Sequence, residues 1–403
     1  MFMFDFGRSK RIYLDYAAAT PVRREVFSVM EPFFSDKFAN PSAIHTEGQA
    51  ARAAVEASRL SVARILGVRP EGIVWTASGT ESNNLAIYGL IRALKEGSER
   101  DFSDIEIITT VIEHPSILEA VEHLKSHGVT VHYVSVNESG RIDTTELTSL
   151  LSKQTALVTF SYVNSEVGVI EDVKKITRLV RLFNKEHDVN ILTHLDAAQA
   201  PLWLPCSLSQ LGVDLLSLDA GKCCGPKGVG VLAFKHGISL KGIILGGGQE
   251  SGLRSGTENT PLIVGAAKAF EIAQATHTER SEKVSTIRDY AFGKLSNIEG
   301  VHINGSQEER VANNVNISID GVEAEFAAIT LDVAGIACST KSACGSGKGE
   351  GSSVVRTLTA SDERATTSLR FTFGEQTTKS EIDKLVTALR GHILKTRAFG
   401  ETY

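Results

Sequence analysis

The sequence predicts an α/β fold, in which a larger domain with a mostly parallel sheet precedes a smaller α+β domain. Up to about Pro261, short apolar runs typical of buried strands alternate with amphipathic helical patterns, and this alternation is characteristic of parallel sheets. Beyond Pro261, long helical stretches dominate and two further strand patterns follow. This change of pattern predicts a second domain of a different type.

The predicted elements follow one another in a regular order. The strand-like runs are short and rich in Val, Ile and Leu, and helical periodicity lies between them, for example over residues 52–66 and 117–126. Strands are expected at residues 73–76, 105–110, 129–134, 156–163, 191–195, 213–218, 228–234, 315–319 and 368–373. The resulting division assigns residues 12–262 to the larger domain and 263–403, with 1–11, to the smaller one. Within the smaller domain, the Gly/Ser-rich residues 345–353 predict a flexible loop.

Composition excludes several classes of protein. The chain has 403 residues, 42% of them hydrophobic, and a net charge of −6, which argues against a general nucleic-acid binder. No apolar stretch is long enough to span a membrane, and the start of the chain does not resemble a signal peptide. Five cysteines form no paired framework and no metal-ligand spacing, so we expect a reduced, cytoplasmic protein without a bound metal.

The first predicted strand ends at a candidate anion site. Small residues, among them Gly79 and Thr80, follow the strand and precede a helical pattern. In open α/β sheets, ligands bind beyond the carboxyl ends of the strands, and a helix N-terminus favours an anion such as phosphate. An ordinary N-cap made by Ser78 or Thr80 explains the same pattern.

Further polar residues follow later strands. The imidazole of His114 could stack on a flat ring, although a lone histidine is more often structural. Asn164 could donate to a ring hydroxyl or a carboxylate, or could cap a turn. Asp196 could pair with a protonated pyridine nitrogen, or could cap the next helix, and Gln199 follows it.

Lys222 is the most informative of these residues. It lies on a Gly/Pro-rich turn between two predicted buried strands, where an amine could reach the aldehyde of pyridoxal phosphate. A surface lysine is the alternative for an isolated turn. Because five strand ends each supply a residue type that this cofactor needs, the sequence favours a pyridoxal phosphate site.

From about Ile12 to Thr378, the chain resembles the cysteine desulfurases, a branch of the class V aminotransferase-like enzymes of fold-type I. Many motifs in one order carry the resemblance. They are Tyr13-Leu-Asp-Tyr-Ala-Ala-Ala-Thr-Pro21, Asn40-Pro-Ser42, Ser78-Gly-Thr-Glu-Ser-Asn-Asn84, Glu113-His114, Asn164-Ser-Glu-Val-Gly168, Asp196-Ala-Ala-Gln199, Gly225-Pro-Lys-Gly228, Gly246-Gly-Gly-Gln-Glu250, Arg254-Ser-Gly-Thr-Glu-Asn259, Ser342-Ala-Cys344 and Ser368-Leu-Arg-Phe371.

The resemblance implies a role for each matching residue. For the cofactor, it implies a covalent bond from Lys222, ring stacking by His114, and contacts from Asp196, Gln199 and Asn164. It also implies phosphate contacts from Gly79, Thr80 and, across a homodimer, the second subunit's own Thr257. For the substrate L-cysteine, it implies a carboxylate clamp made by Arg370 with Asn164 and Asn40.

The resemblance also implies that Cys344 is the nucleophile. This residue precedes the Gly/Ser-rich loop, and Lys341 and Lys348 nearby would favour its thiolate. Sulfur would pass from L-cysteine to Cys344 as a persulfide, leaving L-alanine. The persulfide would then serve a sulfur acceptor or an iron–sulfur scaffold protein, for cluster, thio-cofactor or tRNA synthesis. Cys206 and Cys338 are interpreted as structural.

The chain departs from the family pattern beside Lys222. Asp219 and Gly221 stand where the family has a serine and a histidine that bind phosphate. A carboxylate about 4 Å from a phosphate charge implies roughly 4 kcal/mol of repulsion at an effective dielectric near 20, unless Asp219 turns away or is neutralised. Two alternatives therefore stay open: a related lyase or aminotransferase, and a binding partner in sulfur assembly with weakened cofactor binding.

Overall fold

A computed structural model of the chain describes residues 11–97, 101–340 and 351–400. The strands are β1 (Ile12–Tyr13), β2 (Ile73–Thr76), β3 (Glu106–Thr110), β4 (Thr130–Val134), β5 (Thr155–Ser161), β6 (Leu192–Asp196), β7 (Leu215–Asp219), β8 (Gly230–Phe234), β9 (Val301–Ile303), β10 (Asn314–Ile319), β11 (Ile336–Ala337) and β12 (Ser368–Thr372). The α-helices are α1 (Arg24–Met30), α2 (Pro32–Ser35), α3 (Thr46–Leu66), α4 (Gly79–Gly97), α5 (Pro115–Ser126), α6 (Thr144–Leu150), α7 (Val173–His187), α8 (Leu208–Leu211), α9 (Thr260–Ala275), α10 (His277–Leu295), α11 (Ala324–Val333), α12 (Ser353–Thr359), α13 (Asp362–Thr366) and α14 (Lys379–Gly400).

The main sheet has the strand order β2-β8-β7-β6-β5-β3-β4. Neighbouring strands from β7 through β6, β5 and β3 to β4 run parallel, whereas β8 pairs antiparallel with both β7 and β2. Helices α4 and α5 pack together, and α4 also contacts β7 and β8. The prediction of an α/β fold with a mostly parallel sheet is confirmed.

The later part of the chain forms a separate antiparallel sheet, in the order β12-β10-β9. Helices α10 and α11 pack on it, and α14 packs against both of these helices, which matches the predicted α+β pattern. The predicted boundary at residue 262 falls inside α9, and the division into two domains remains a prediction. Residues 345–350 of the predicted loop lie outside the described residues. The predicted end of the loop at Ser353 is wrong, because α12 begins at Ser353 and Ser352 is its N-cap.

Two strand ends differ from the sequence-based prediction in a way that matters for the site. Asp196 and Asp219 are the last residues of β6 and β7 rather than the first residues beyond them. Their side chains therefore leave the sheet at its carboxyl edge, where the N-termini of α4 and α5 also lie. Across the described residues, no helix is both long enough and apolar enough to cross a membrane.

Candidate active site

A cleft opens at the carboxyl edge of the main sheet. It brings together seven of the residues that the sequence singled out. They are Gly79, Thr80, His114, Asn164, Asp196, Gln199 and Lys222. Asp219 lines the same cleft, together with Asn83, Ser116, Ser161 and Ser165. The predicted convergence of strand ends is therefore present, while the chemical roles of the residues remain proposals.

Lys222 ends a single turn of 3₁₀-helix that directly follows β7. The side chain is half-buried and borders the cleft. Within the described part of the chain, its amine makes no hydrogen bond or ion pair. An amine at this position that is not held by another side chain can reach an aldehyde bound in the cleft.

His114 is the N-cap residue of α5 and borders the cleft. The backbone N–H of Ser116 donates to Nδ1 at 3.1 Å, so in the neutral ring the proton resides on Nε2. Burial lowers the pKa of His114 and the Lys222 charge lowers it further, although Asp196 and Asp219 oppose this effect. Burial and the Lys222 charge therefore favour the neutral form of the ring.

Asp196 is held in place from two sides. Its Oδ1 accepts the Ala198 N–H at 2.9 Å, and its Oδ2 accepts Nδ2 of Asn83 at 2.8 Å. Asn83 also donates to Ser116, whereas its buried Oδ1 has no partner among the described residues. Asn83 was missed as a site residue because, in the sequence, it is one polar position in a helix.

Glu113 is a second residue that was missed, lying behind His114. It is 6% exposed and accepts hydrogen bonds from Thr110 at 2.7 Å and Ser161 at 2.5 Å. Burial raises the pKa of its carboxyl to about 7, and the charge of Asp196 acts in the same direction. The cleft is thus backed by a carboxyl group that is largely protonated below neutral pH.

The side chain of Asn164 caps a turn, which is one of the two roles that the sequence left open. Its Oδ1 accepts the N–H groups of Glu166 and Val167 at 2.9 and 3.0 Å, and its Nδ2 donates to Ile112 O. The amide therefore caps a turn and keeps one N–H for a ligand. Gln199 similarly donates from Nε2 to Ala17 O at 2.9 Å.

Arg370 is only 1% exposed and lies on β12 behind the cleft. It donates from Nη1 to the carbonyl of Ser165, a residue that lines the cleft, and from Nη2 to Asp15, each at 2.8 Å. Its buried Nε–H has no partner within the described ranges. Asp15 balances the buried charge and was not recognised as part of the site.

The remaining predicted residues lie elsewhere in the single chain. Asn40 is exposed, and its side chain accepts the Ser42 N–H. Thr257 is also exposed and borders a different pocket with Thr76 and Glu250. Neither residue lines the Lys222 cleft, so their roles stay predictions. Cys344 lies outside the described residues.

The cysteines that were interpreted as structural lie in apolar surroundings. Cys206 is fully buried, and burial raises the pKa of its thiol far above the usual value. Cys338 is half-buried against the main core, and burial raises the pKa of its thiol to about 12. Both are protonated at neutral pH and are poor nucleophiles.

Comparisons with known proteins show the family to which the chain belongs. The class-V aminotransferase model matches residues 12–385. Curated relatives include the cysteine desulfurase IscS of Dictyoglomus turgidum, 38% identical over 96% of both chains. A second is the cysteine desulfurase IscS of Methylococcus capsulatus, 39% identical over 96% of this chain and 93% of the relative.

Solved structures show the same similarity. A NifS-like protein superimposes with a TM-score of 0.87 at 34% identity, covering 96% of this chain and 99% of its own. A structure described as SspA in complex with cysteine gives 0.77 at 33% identity, covering 91% and 100%. The chain belongs to the class-V aminotransferase family, within its cysteine desulfurase branch, and the recognition made from the sequence is confirmed.

Proposed function

We propose that the protein is a pyridoxal phosphate-dependent cysteine desulfurase that converts L-cysteine to L-alanine and carries the sulfur as a persulfide on Cys344. The observation that carries the proposal is the convergence of Lys222, Asp196 and His114 on one cleft. Membership of the cysteine desulfurase branch supports the substrate.

The residues of the cleft fit the ring end of pyridoxal phosphate. Lys222 would hold the aldehyde, His114 would cover the ring face, and Asp196 would face the ring nitrogen. Among the described residues, the buried Oδ1 of Asn83 has no hydrogen-bond partner, so this acceptor is available to a ligand that carries a hydrogen-bond donor. When bound, the cofactor would supply an electron sink for charge on the α-carbon of the substrate.

The protein's own residues would carry out the remaining chemistry. Arg370 would bind the substrate carboxylate, and the Lys222 amine would take the α-proton. The Cys344 thiolate would attack the substrate sulfur, so that an S–S bond forms and the C–S bond breaks. The electron pair of that bond would stay with the three-carbon product, which takes up protons to become alanine. An acceptor protein would then receive the sulfur.

The proposal extends to the assembly and its setting. A homodimer would bring the partner's copy of Thr257 to the phosphate, since within one chain this residue is exposed and does not line the cleft. We place the reaction in the cytoplasm, where a reactive thiol stays reduced.

Cofactor loading and sulfur release provide the test. The purified protein, reconstituted with pyridoxal phosphate, should be yellow and should release sulfide and alanine from L-cysteine under reductant. Cys344→Ala should keep the colour and lose sulfur release. The matched control Cys338→Ala should keep both, because the protonated Cys338 thiol takes no part. A colourless reconstituted protein would contradict the cofactor assignment, and sulfur release by Cys344→Ala would contradict the nucleophile.

A further inference from the structure

Asp219 points into the cleft rather than away from it. Its Oδ1 accepts the Gly221 N–H at 2.8 Å, and its Oδ2 accepts the Gly79 N–H at 3.2 Å. The contact is close, because a Cβ atom added at Gly79 would lie 3.2 Å from the Asp219 Cβ. The carboxylate therefore occupies the first N–H of α4.

A bound anionic ligand at the start of α4 would need the same N–H group. Helix α4 is 19 residues long, and its first N–H groups and dipole attract negative charge. Thr80 and Lys222, whose side chains carry hydrogen-bond donors that suit an anion, border the same cleft. In the described part of the chain, no ion pair neutralises Asp219.

We propose that Asp219 is an internal anion, which competes with the phosphate group of the cofactor for the N-terminus of α4. This inference rests on the proposed function. A phosphate can accept the Gly79 N–H only after the carboxylate has left it, and the two negative charges repel each other. The chain therefore gains little affinity from the phosphate, and it binds pyridoxal phosphate and unphosphorylated pyridoxal with similar affinity.

The alternative is that Asp219 only caps the turn that begins at Ala220. Such a cap would stabilise the turn through Gly221 without influencing which form of the cofactor binds. The two interpretations differ in the ratio of affinities for the two aldehydes, which is a quantity independent of turnover.

The experiment compares pyridoxal phosphate with pyridoxal in absorbance titrations of the full-length protein at fixed salt. Two variants remove the charge of Asp219: Asp219→Asn keeps the size of the side chain, and Asp219→Ser makes it smaller. Each should increase the affinity for pyridoxal phosphate at least ~10-fold, or about 1.4 kcal/mol. The affinity for pyridoxal should change by less than about twofold, equivalent to under ~0.5 kcal/mol.

Glu81→Gln is the matched control. Glu81 lies in the first turn of the same helix, but its carboxylate is held by Arg254 and the Ala77 N–H. This variant should leave both affinities unchanged. The proposal would be overturned if Glu81→Gln increased the affinity for pyridoxal phosphate as much as the Asp219 variants do. It would also be overturned if the ratio of the affinities for pyridoxal phosphate and pyridoxal stayed unchanged in both Asp219 variants. If neither aldehyde gives an absorbance band in any variant, the proposed function fails instead.

Discussion

Glu113→Gln should change how the stability of the protein depends on pH. The Glu113 carboxyl is 6% exposed and is hydrogen-bonded by two hydroxyl groups, with no cation to balance its charge within the described residues. Burial raises its pKa from 4.5 to about 7. Glutamine resembles the protonated form in shape and in charge, so the substitution removes the titration while keeping the packing.

The magnitude follows from the raised pKa. Between pH 4.5 and 7 the folded protein holds a proton on Glu113 that the unfolded chain releases. The contribution of Glu113 to stability is therefore complete below pH 4.5 and is lost as the pH rises through 7. The pKa of Glu113 rises from 4.5 to about 7, and each pKa unit is worth roughly 1.4 kcal/mol. The free energy of unfolding therefore changes by about 3 kcal/mol.

Urea unfolding of the cofactor-free protein at pH 5 and pH 8 measures this effect. The free energy of unfolding of the parent, relative to Glu113→Gln, should fall by about 2–3 kcal/mol between the two pH values. Other titrating groups, including the buried His194, are common to both proteins and cancel. The control Glu119→Gln, on the exposed face of α5, should stay within about 0.5 kcal/mol of the parent at each pH. The reasoning would be refuted if the free energies of unfolding of the parent and of Glu113→Gln differed by the same amount at both pH values.

Two further substitutions test the buried ion pairs. Arg370→Lys keeps the charge but cannot reach both Ser165 O and Asp15, so the KM for L-cysteine should rise at least ~10-fold, with a smaller change in kcat in a sulfide-release assay. Glu250→Gln leaves the Arg59 guanidinium, which is 12% exposed, without its buried carboxylate, and should lower the free energy of unfolding in urea by about 3 kcal/mol. An unchanged KM, or an unchanged unfolding midpoint, would contradict the respective assignment.

The sequence predicted the strands of the main sheet and the residues at their ends because burial and ligand chemistry leave local signals. Apolar runs identified β2 to β8, and polar residues at the strand ends identified Asp196 and Lys222. The antiparallel position of β8 between β7 and β2 left no such signal. Strand pairing depends on contacts between distant segments, which the composition of each strand does not specify.

Several residues of the site could not be recognised from local patterns. Asn83 lies on a helix, and its link to Asp196 exists only after α4 packs on the sheet. Asp15 meets Arg370 from the opposite end of the chain. The orientation of Asp219 was equally undetermined, because the same carboxylate could have capped its turn while facing away from Gly79.

The site thus contains two of the protein's own carboxylates at places suited to external anions, and their physical effects are opposite. Asp15 neutralises a guanidinium that is 1% exposed, and it leaves the Nε–H of Arg370 without a partner among the described residues. Asp15 prevents an uncompensated buried charge, and the proposed role of Arg370 requires the substrate carboxylate to reach the Nε–H that Asp15 does not use. Asp219 instead accepts the helix N–H itself, so it excludes a second anion from that donor. An internal carboxylate therefore opposes the binding of an anionic ligand where it accepts the N–H that the ligand needs. It does not oppose binding where it leaves another N–H of the same group unused.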